Sequence, residues 1–253
     1  MTYTQRKRVR RTVGRVLLWI LLLAVILALA AAAFLAFNGL LTYREAIRER
    51  SLSERIDAVR GREDYITLGQ MPALYPRAVV AVEDHRFYMH CGVDLISVGR
   101  AVRTDLRARA FVEGGSTITQ QLAKNLLFSQ EKTAARKAAE VLAAFDLERM
   151  FTKDEILELY INTIYYGSEY TGLAAAAQGY FGCQPSRLND VQCTLLVGLP
   201  QAPSVYTPEN DPELTLQRHR QVLDSLVSEG VLTQDRADAL AQAAPDTLRR
   251  RVK

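Results

Sequence analysis

Apolar and charged positions divide the chain into an N-terminal block and a longer, finely patterned remainder. From Val16 to Phe37 no residue is charged, and Leu, Ala, Ile and Val dominate. At about 1.5 Å per residue such a run, as a helix, covers the roughly 30 Å hydrocarbon core of a bilayer. A cleaved signal peptide also begins basic and apolar, and Ala28-Leu29-Ala30 resembles a small-residue cleavage site. The run exceeds the roughly 7 to 15 apolar residues of a signal core, and no polar break precedes that site, so an uncleaved anchor is the favoured expectation. Past the anchor, Tyr43 to Gly69 is charged and polar with scattered Leu and Ile, which predicts a juxtamembrane helix and linker without chemistry.

From Pro72 onward the punctuation is helical. Thr117-Ile-Thr-Gln120 and Thr152-Lys-Asp-Glu155 both fit a capping box, so helices are expected to begin near 118 and 153. Asp94 opens a segment with Leu95, Val98 and Val102 at helical spacing. Gly182 and Gly230 fall where C-caps would follow Gly172 to Phe181 and Gln217 to Glu229. Val79 to Val82 is strand-like but too short to tell from a buried helix by periodicity. A mainly α fold is expected. It divides into a basic cytoplasmic tail (1–15), a transmembrane anchor (16–41), a juxtamembrane linker (42–69), a catalytic domain (70–235) and a C-terminal tail (236–253).

Charge then sets orientation and removes one class of partner. The first fifteen residues hold six basic side chains and no acid, so of the net +4 the rest of the chain carries −2. That remainder lacks the basic excess of a nucleic-acid-binding domain. The basic flank predicts a cytoplasmic N-terminus and a domain on the periplasmic or outer face of a bacterial inner membrane. Cys91, Cys183 and Cys193 lack paired zinc-site spacing, and whether Cys183 and Cys193 pair stays open.

Three polar clusters are candidates for chemistry. Glu83-Asp84-His85-Arg86-Phe87-Tyr88-Met89-His90-Cys91-Gly92 follows an apolar run. Adjacent carboxylates cannot share one helix face, and one at the edge of an apolar wall has its pKa raised toward that of a useful general base. The competing reading is a helix end with solvated charges over a core Phe87. His85 and His90, five apart, have poor spacing for a shared metal. Next, Glu113-Gly-Gly115-Ser116-Thr117-Ile-Thr-Gln120-Gln121-Leu-Ala-Lys124-Asn125 runs a glycine pair into a capped helix. It presents N–H groups and a polar stripe to sugar hydroxyls or phosphate, or is an ordinary capped helix. Third, Lys132 and Arg136-Lys137-Ala-Ala-Glu140 place Arg136 and Glu140 on one face, which alone would be a surface ion pair. Two carboxylates with cations at 124, 132, 136 and 137 are what sugar transfer from a phosphate leaving group requires.

These segments, with Lys153-Asp-Glu-Ile-Leu-Glu-Leu-Tyr-Ile-Asn162, Tyr165-Tyr-Gly167 and Leu199-Pro-Gln-Ala-Pro203, resemble in order and spacing the motifs of the peptidoglycan glycosyltransferases (transglycosylases), glycosyltransferase family 51. The resemblance covers roughly residues 65 to 235. Gln192 stands where the family commonly has Glu, Ile161 where Leu is usual, and Lys132 where Arg is frequent. It implies a lysozyme-like helical domain with a membrane-proximal jaw, for which Arg103 to Val112 is a candidate. The implied reaction is inverting polymerisation of lipid II. Glu83 would be the base and Glu140 the second catalytic carboxylate. Asp84, Phe87, His90, Gly115, Ser116, Thr117, Gln120, Gln121, Lys124, Lys132, Arg136, Lys137 and Asn162 would bind substrate. A divalent cation (Mg or Mn) could accompany the pyrophosphate, with no protein-held metal site. Partners implied are lipid II, the growing lipid-linked glycan, the bilayer, penicillin-binding transpeptidases, and division or elongation proteins. Ser129-Gln-Glu-Lys132 matches a bare S-x-x-K, but no S-x-N or K-T-G follows, so a monofunctional enzyme is expected. The rival readings are a lytic muramidase and an inactive membrane scaffold.

Overall fold

The computed structural model describes residues 3–108, 115–129 and 133–249, with side chains from residue 14 onward except at 102, 105, 106 and 108. Helices follow one another in the order α1 (Tyr3–Ala46), α2 (Leu52–Arg60), α3 (Leu74–Glu83), α4 (Leu95–Ala108), α5 (Ile118–Leu127) and α6 (Ala134–Met150). Then come α7 (Lys153–Thr163), α8 (Leu173–Phe181), α9 (Asp190–Gly198), α10 (Pro203–Tyr206), α11 (Pro212–Ser228) and α12 (Gln234–Arg249). Among the described residues there is no strand, only the isolated bridges Cys91–Val93 and Tyr165–Thr171.

Local chemistry sets the helix starts. Thr117 accepts from Gln120 N and Thr152 from Glu155 N, and each N3 side chain reaches back to its cap. Asn189 and Gln192 form the same box at the start of α9. A glutamine fills that place as well as a glutamate, so the departure at Gln192 leaves the helix start intact. Gly182 takes the left-handed conformation and ends α8 (φ 63°). Val79 to Val82 belongs to α3, where Ala78, Val79 and Ala81 are buried.

The apolar run forms the greater part of α1, and from Val16 to Phe37 its side chains lie open to the surroundings. From Gly14 to Ala46 the helix is long and apolar enough to cross a membrane. Its last turns do something different. A Cβ on Gly39 would lie 2.5 Å from Ala138 Cβ, so only glycine allows α1 and α6 to approach this closely there. One turn on, Tyr43 is buried and donates to Asp146 Oδ2 at 2.6 Å. The anchor is thus packed on α6, the helix that carries Arg136, Lys137 and Glu140.

Two segments expected to be linker or tail join the core. In α2, Leu52 and Ile56 are buried because they share one face at i, i+4, and a complete capping box at Ser51–Glu54 starts the helix. The C-terminal segment forms α12 over Gln234–Arg249, and Ala237, Leu240, Ala244 and Leu248 bury one stripe of it against α9 and α11. Tyr75, Phe87, Leu122, Leu147, Ile156, Leu159, Tyr160 and Tyr166 form the centre of the core.

Candidate active site

Glu83 is the last residue of α3 and keeps partial solvent access. Gln121 of α5 donates Nε2–H to its Oε2 at 2.9 Å. Burial raises the Glu83 pKa above the ordinary glutamate value, and neighbouring Asp84 pushes the same way. The Gln121 hydrogen bond and the charges of Arg218 and Lys124 pull against them. Among the described residues no cation lies in ion-pair contact with this carboxylate.

The chain leaves the helix at Asp84 (φ −160°, ψ 73°), and the two adjacent carboxylates diverge. Asp84 turns inward, accepts the N–H of Ile118 at 3.1 Å, and faces His90 Nε2 at 3.0 Å from each oxygen. A carboxylate at the start of α5 is held by the positive end of that helix. Thr117 adds a second tie, donating to Gly92 O at 2.7 Å. The loop after Glu83 is therefore fastened to the start of α5, and Gln121 rides on α5 one turn further along.

Glu140, on α6, is 2% exposed and lies between two cations. Arg136 Nε is 3.0 Å from its Oε1 and Lys137 Nζ 2.9 Å from its Oε2. Lys137 Nζ also donates to Ser116 Oγ at 2.6 Å, which links α6 to the segment before α5. Arg136 Nη1 donates to Ser129 O at 3.1 Å. Lys124 is partly buried, and desolvation lowers its pKa. The charge of Glu140 opposes that shift, whereas Arg136 and Lys137 add to it. Three cations thus gather around one buried carboxylate.

The structure brings Glu83, Gln121, Lys124, Arg136, Lys137, Ser116 and Glu140 together, with Gly115 beside them against α4. Lys132 lies outside the described residues, as does Val112 with its neighbours from 109 in the jaw segment. Six residues expected to touch substrate are engaged with internal partners in the structure. Asp84 and His90 face each other, and Phe87 is fully buried with Lys153 Nζ 4.4 Å from its ring centroid. Gln120 is buried and completes the cap by accepting Thr117 N at 3.1 Å. Asn162 is buried and bonds the backbone of Ile66 and Glu158. For the polar side chains burial without partners would be costly, and the nearest partners are backbone or core groups. Thr117 likewise is buried and spends its hydroxyl on Gly92.

Three further residues join the site without having stood out in the sequence. Glu148, on α6, accepts from Gly92 N at 3.0 Å, Thr119 Oγ1 at 2.6 Å and Lys153 Nζ at 2.7 Å. One buried carboxylate thereby joins the Glu83 loop, α5, α6 and α7. Tyr160 of α7 lies behind Gln121. Arg218 of α11 acts on Glu83 by its charge, its stem lying over Gly198, whose carbonyl accepts its Nε–H at 3.3 Å. Local spacing gives little sign of these contacts: apart from Lys153, five residues from Glu148, the partners lie 20 or more positions away in sequence.

The described residues thus set a desolvated carboxylate beside a group of cations on a helical domain that follows a helix long and apolar enough to cross a membrane. A sequence model of the Transglycosylase family matches residues 49–227. The chain is 41% identical over 221 residues to a Cupriavidus necator protein named a transglycosylase by inference, covering 87% of this chain and 91% of that one. It is 45% identical over 169 residues to penicillin-binding protein 1A of Aquifex aeolicus, covering 67% of this chain but 23% of the relative. The 2.6 Å crystal structure of penicillin-binding protein 1A from Haemophilus influenzae aligns at TM-score 0.34 and 26% identity, over 49% of this chain and 16% of that one. The chain belongs to the transglycosylase family, the peptidoglycan glycosyltransferases of glycosyltransferase family 51.

Proposed function

We propose that this protein polymerises glycan chains from lipid II at the outer face of the cytoplasmic membrane and carries no transpeptidase activity. The observation that supports it is the division of labour between the two carboxylates. Glu83 is desolvated and, among the described residues, is hydrogen-bonded by a neutral amide, which suits a general base, and Glu140 is clamped between cations. The Glu83 carboxylate takes the proton of the acceptor 4-hydroxyl, whose oxygen attacks the donor anomeric carbon from the face opposite the pyrophosphate. The bond from that carbon to the phosphate oxygen breaks, and its electron pair leaves on undecaprenyl pyrophosphate. An α-linked donor so becomes a β-1,4 link. Lys124, Arg136 and Lys137, with Lys132, balance the leaving charge, and Glu140 holds Arg136 and Lys137 in place.

The carboxylates here do not suit a resident divalent ion. Glu83 is engaged by Gln121, Asp84 by His90 and Ile118, and Glu140 by two cations, and the described residues contain no group of three or more metal-ligating side chains. Side chains would supply charge compensation, and a divalent cation (Mg or Mn) travelling with the pyrophosphate itself is what the comparison with and without the ion tests. The basic N-terminus sets the catalytic domain outside, where penicillin-binding transpeptidases and division or elongation proteins would crosslink and direct the product.

The test is incubation of detergent-solubilised protein with labelled lipid II, with and without a divalent ion, followed by gel separation of the glycan chains. A ladder that vanishes with Glu83→Gln is expected. Folded wild-type protein that binds lipid II but makes no ladder would favour a scaffold, and degradation of finished cell wall would favour a muramidase.

A further inference from the structure

Behind Glu83 runs a short hydrogen-bond chain that starts in the core. Tyr160 is fully buried in the middle of α7, and its hydroxyl donates to Gln121 Oε1 at 3.2 Å. The other end of the same amide, Nε2–H, donates to Glu83 Oε2 at 2.9 Å. An ionised carboxylate only accepts hydrogen bonds, whereas a primary amide can turn either its oxygen or its NH2 toward it. A hydroxyl donor behind the amide oxygen favours the orientation that presents NH2 to Glu83. Turned the other way, the amide would set oxygen against carboxylate and NH2 against the tyrosine. Burial and the charge of Glu83 hold the Tyr160 phenol well above its ordinary pKa, so it remains a donor throughout the working range.

We propose that Tyr160 is a positioning residue for Glu83, acting through Gln121 by fixing which end of the amide faces the carboxylate. This rests on the reading of Glu83 as the base. The other charged and titratable groups around Glu83 are its neighbour Asp84, Lys124 on α5, Arg218 on α11 and Tyr166 after α7. None of them hydrogen-bonds the Gln121 amide, so the chain can be broken without touching them. Removing the Tyr160 hydroxyl leaves the buried ring in place and frees the amide to turn. The ionised form of Glu83 then loses part of the donation from Gln121 and binds a proton more readily.

The experiment is a titration of Glu83 in the full-length protein in detergent. Carboxyl-labelled glutamate is followed by infrared spectroscopy, and the Glu83 band is identified by its absence in Glu83→Gln. Tyr160→Phe is expected to raise the proton affinity of Glu83 about threefold to tenfold, and Gln121→Met to shift it in the same direction. In a Gln121→Met background Tyr160→Phe should add little, since its hydrogen-bond route to Glu83 is gone. The acid limb of kcat/KM on lipid II should follow the titration midpoint, with the rate recovering at higher pH and KM unchanged. An unchanged midpoint in folded Tyr160→Phe protein overturns the proposal, as does an undiminished effect in the Gln121→Met background. If the midpoint moves and the acid limb does not, the hydrogen-bond chain stands and it is Glu83 as the base that fails.

Discussion

Glu83 and Glu140 are carboxylates of one site, and their surroundings are opposite. Glu83 receives one neutral amide donor and is pushed toward its protonated form by burial. Glu140 is more deeply buried but has a guanidinium and an ammonium within 3.0 Å. A buried carboxylate with little compensation is reactive and poorly stabilised, whereas one clamped by cations is inert and well held. The same side-chain type therefore serves two purposes, and partners rather than identity decide which.

The largest expected effect tests the reactive end. Glu83→Gln should lower polymerisation about 10² to 10⁴ fold, the usual contribution of a positioned base, with lipid II binding retained. The wild-type rate should also fall as pH drops through the Glu83 pKa, which burial places above that of an ordinary glutamate. A pH–rate profile still flat below the glutamate range, or a Glu83→Gln enzyme within threefold of wild type, would break the assignment.

Stability separates the two carboxylates by sign. Because the folded pKa of Glu83 is raised, the folded state holds more protons than the unfolded chain between the ordinary and the raised values. Stability therefore declines as pH rises through that window. Glu83→Gln removes the loss and should raise the melting temperature at neutral pH. Glu140→Gln should do the reverse, costing about 2 kcal/mol. That lies below the roughly 3–5 kcal/mol of a fully buried broken pair, since Lys137 is 46% exposed. Thermal unfolding of the two variants in one buffer checks both signs, and equal shifts would erase the contrast.

Between the two ends lies a buried carboxylate that belongs to neither. Glu148→Ala leaves the Gly92 N–H, the Thr119 hydroxyl and the Lys153 ammonium without their shared acceptor. The expected cost is about 1–3 kcal/mol, the scale of unsatisfied buried donors with some relaxation. Denaturant unfolding measures it. Because these ties hold the Glu83 loop and α5 rather than Arg136 and Lys137, the loss of activity should appear in kcat more than in KM.

What the sequence made legible follows the range of the interaction. The capping boxes at Thr117 and Thr152, the C-cap at Gly182 and the i, i+4 pair of Arg136 and Glu140 are local, and each stands as expected. The membrane-length run was equally plain. The destinations of Asp84, His90, Gln120 and Asn162 were not, because polar residues in a motif look alike whether they face a ligand or a buried backbone group. Asp84 meets Ile118 across 34 positions and Asn162 meets Ile66 across 96. The stripe of α12 is faint in the sequence because half of it is small alanines, which carry little hydropathy but pack closely. Glu148 lies in ordinary helical sequence and Tyr160 inside a motif that gives no sign of its partner, and only the meeting of several elements gives them a part.

The smallest effect concerns how the anchor bears on one end of the site only. Gly39 lets α1 rest directly on α6 at Ala138, beside Lys137, and a larger residue must separate the two helices. Gly39→Leu should cost about 1–3 kcal/mol through overpacking. Shifting α6 disturbs the placement of Arg136, Lys137 and Glu140, while Glu83 is held from α3, α5 and α7. A severalfold decrease in the rate with an unmoved acid limb is therefore expected, read from the lipid II pH–rate profile. A moved acid limb would mean that the helix carrying the cations also sets the base, and that the two ends of the site are one mechanical unit.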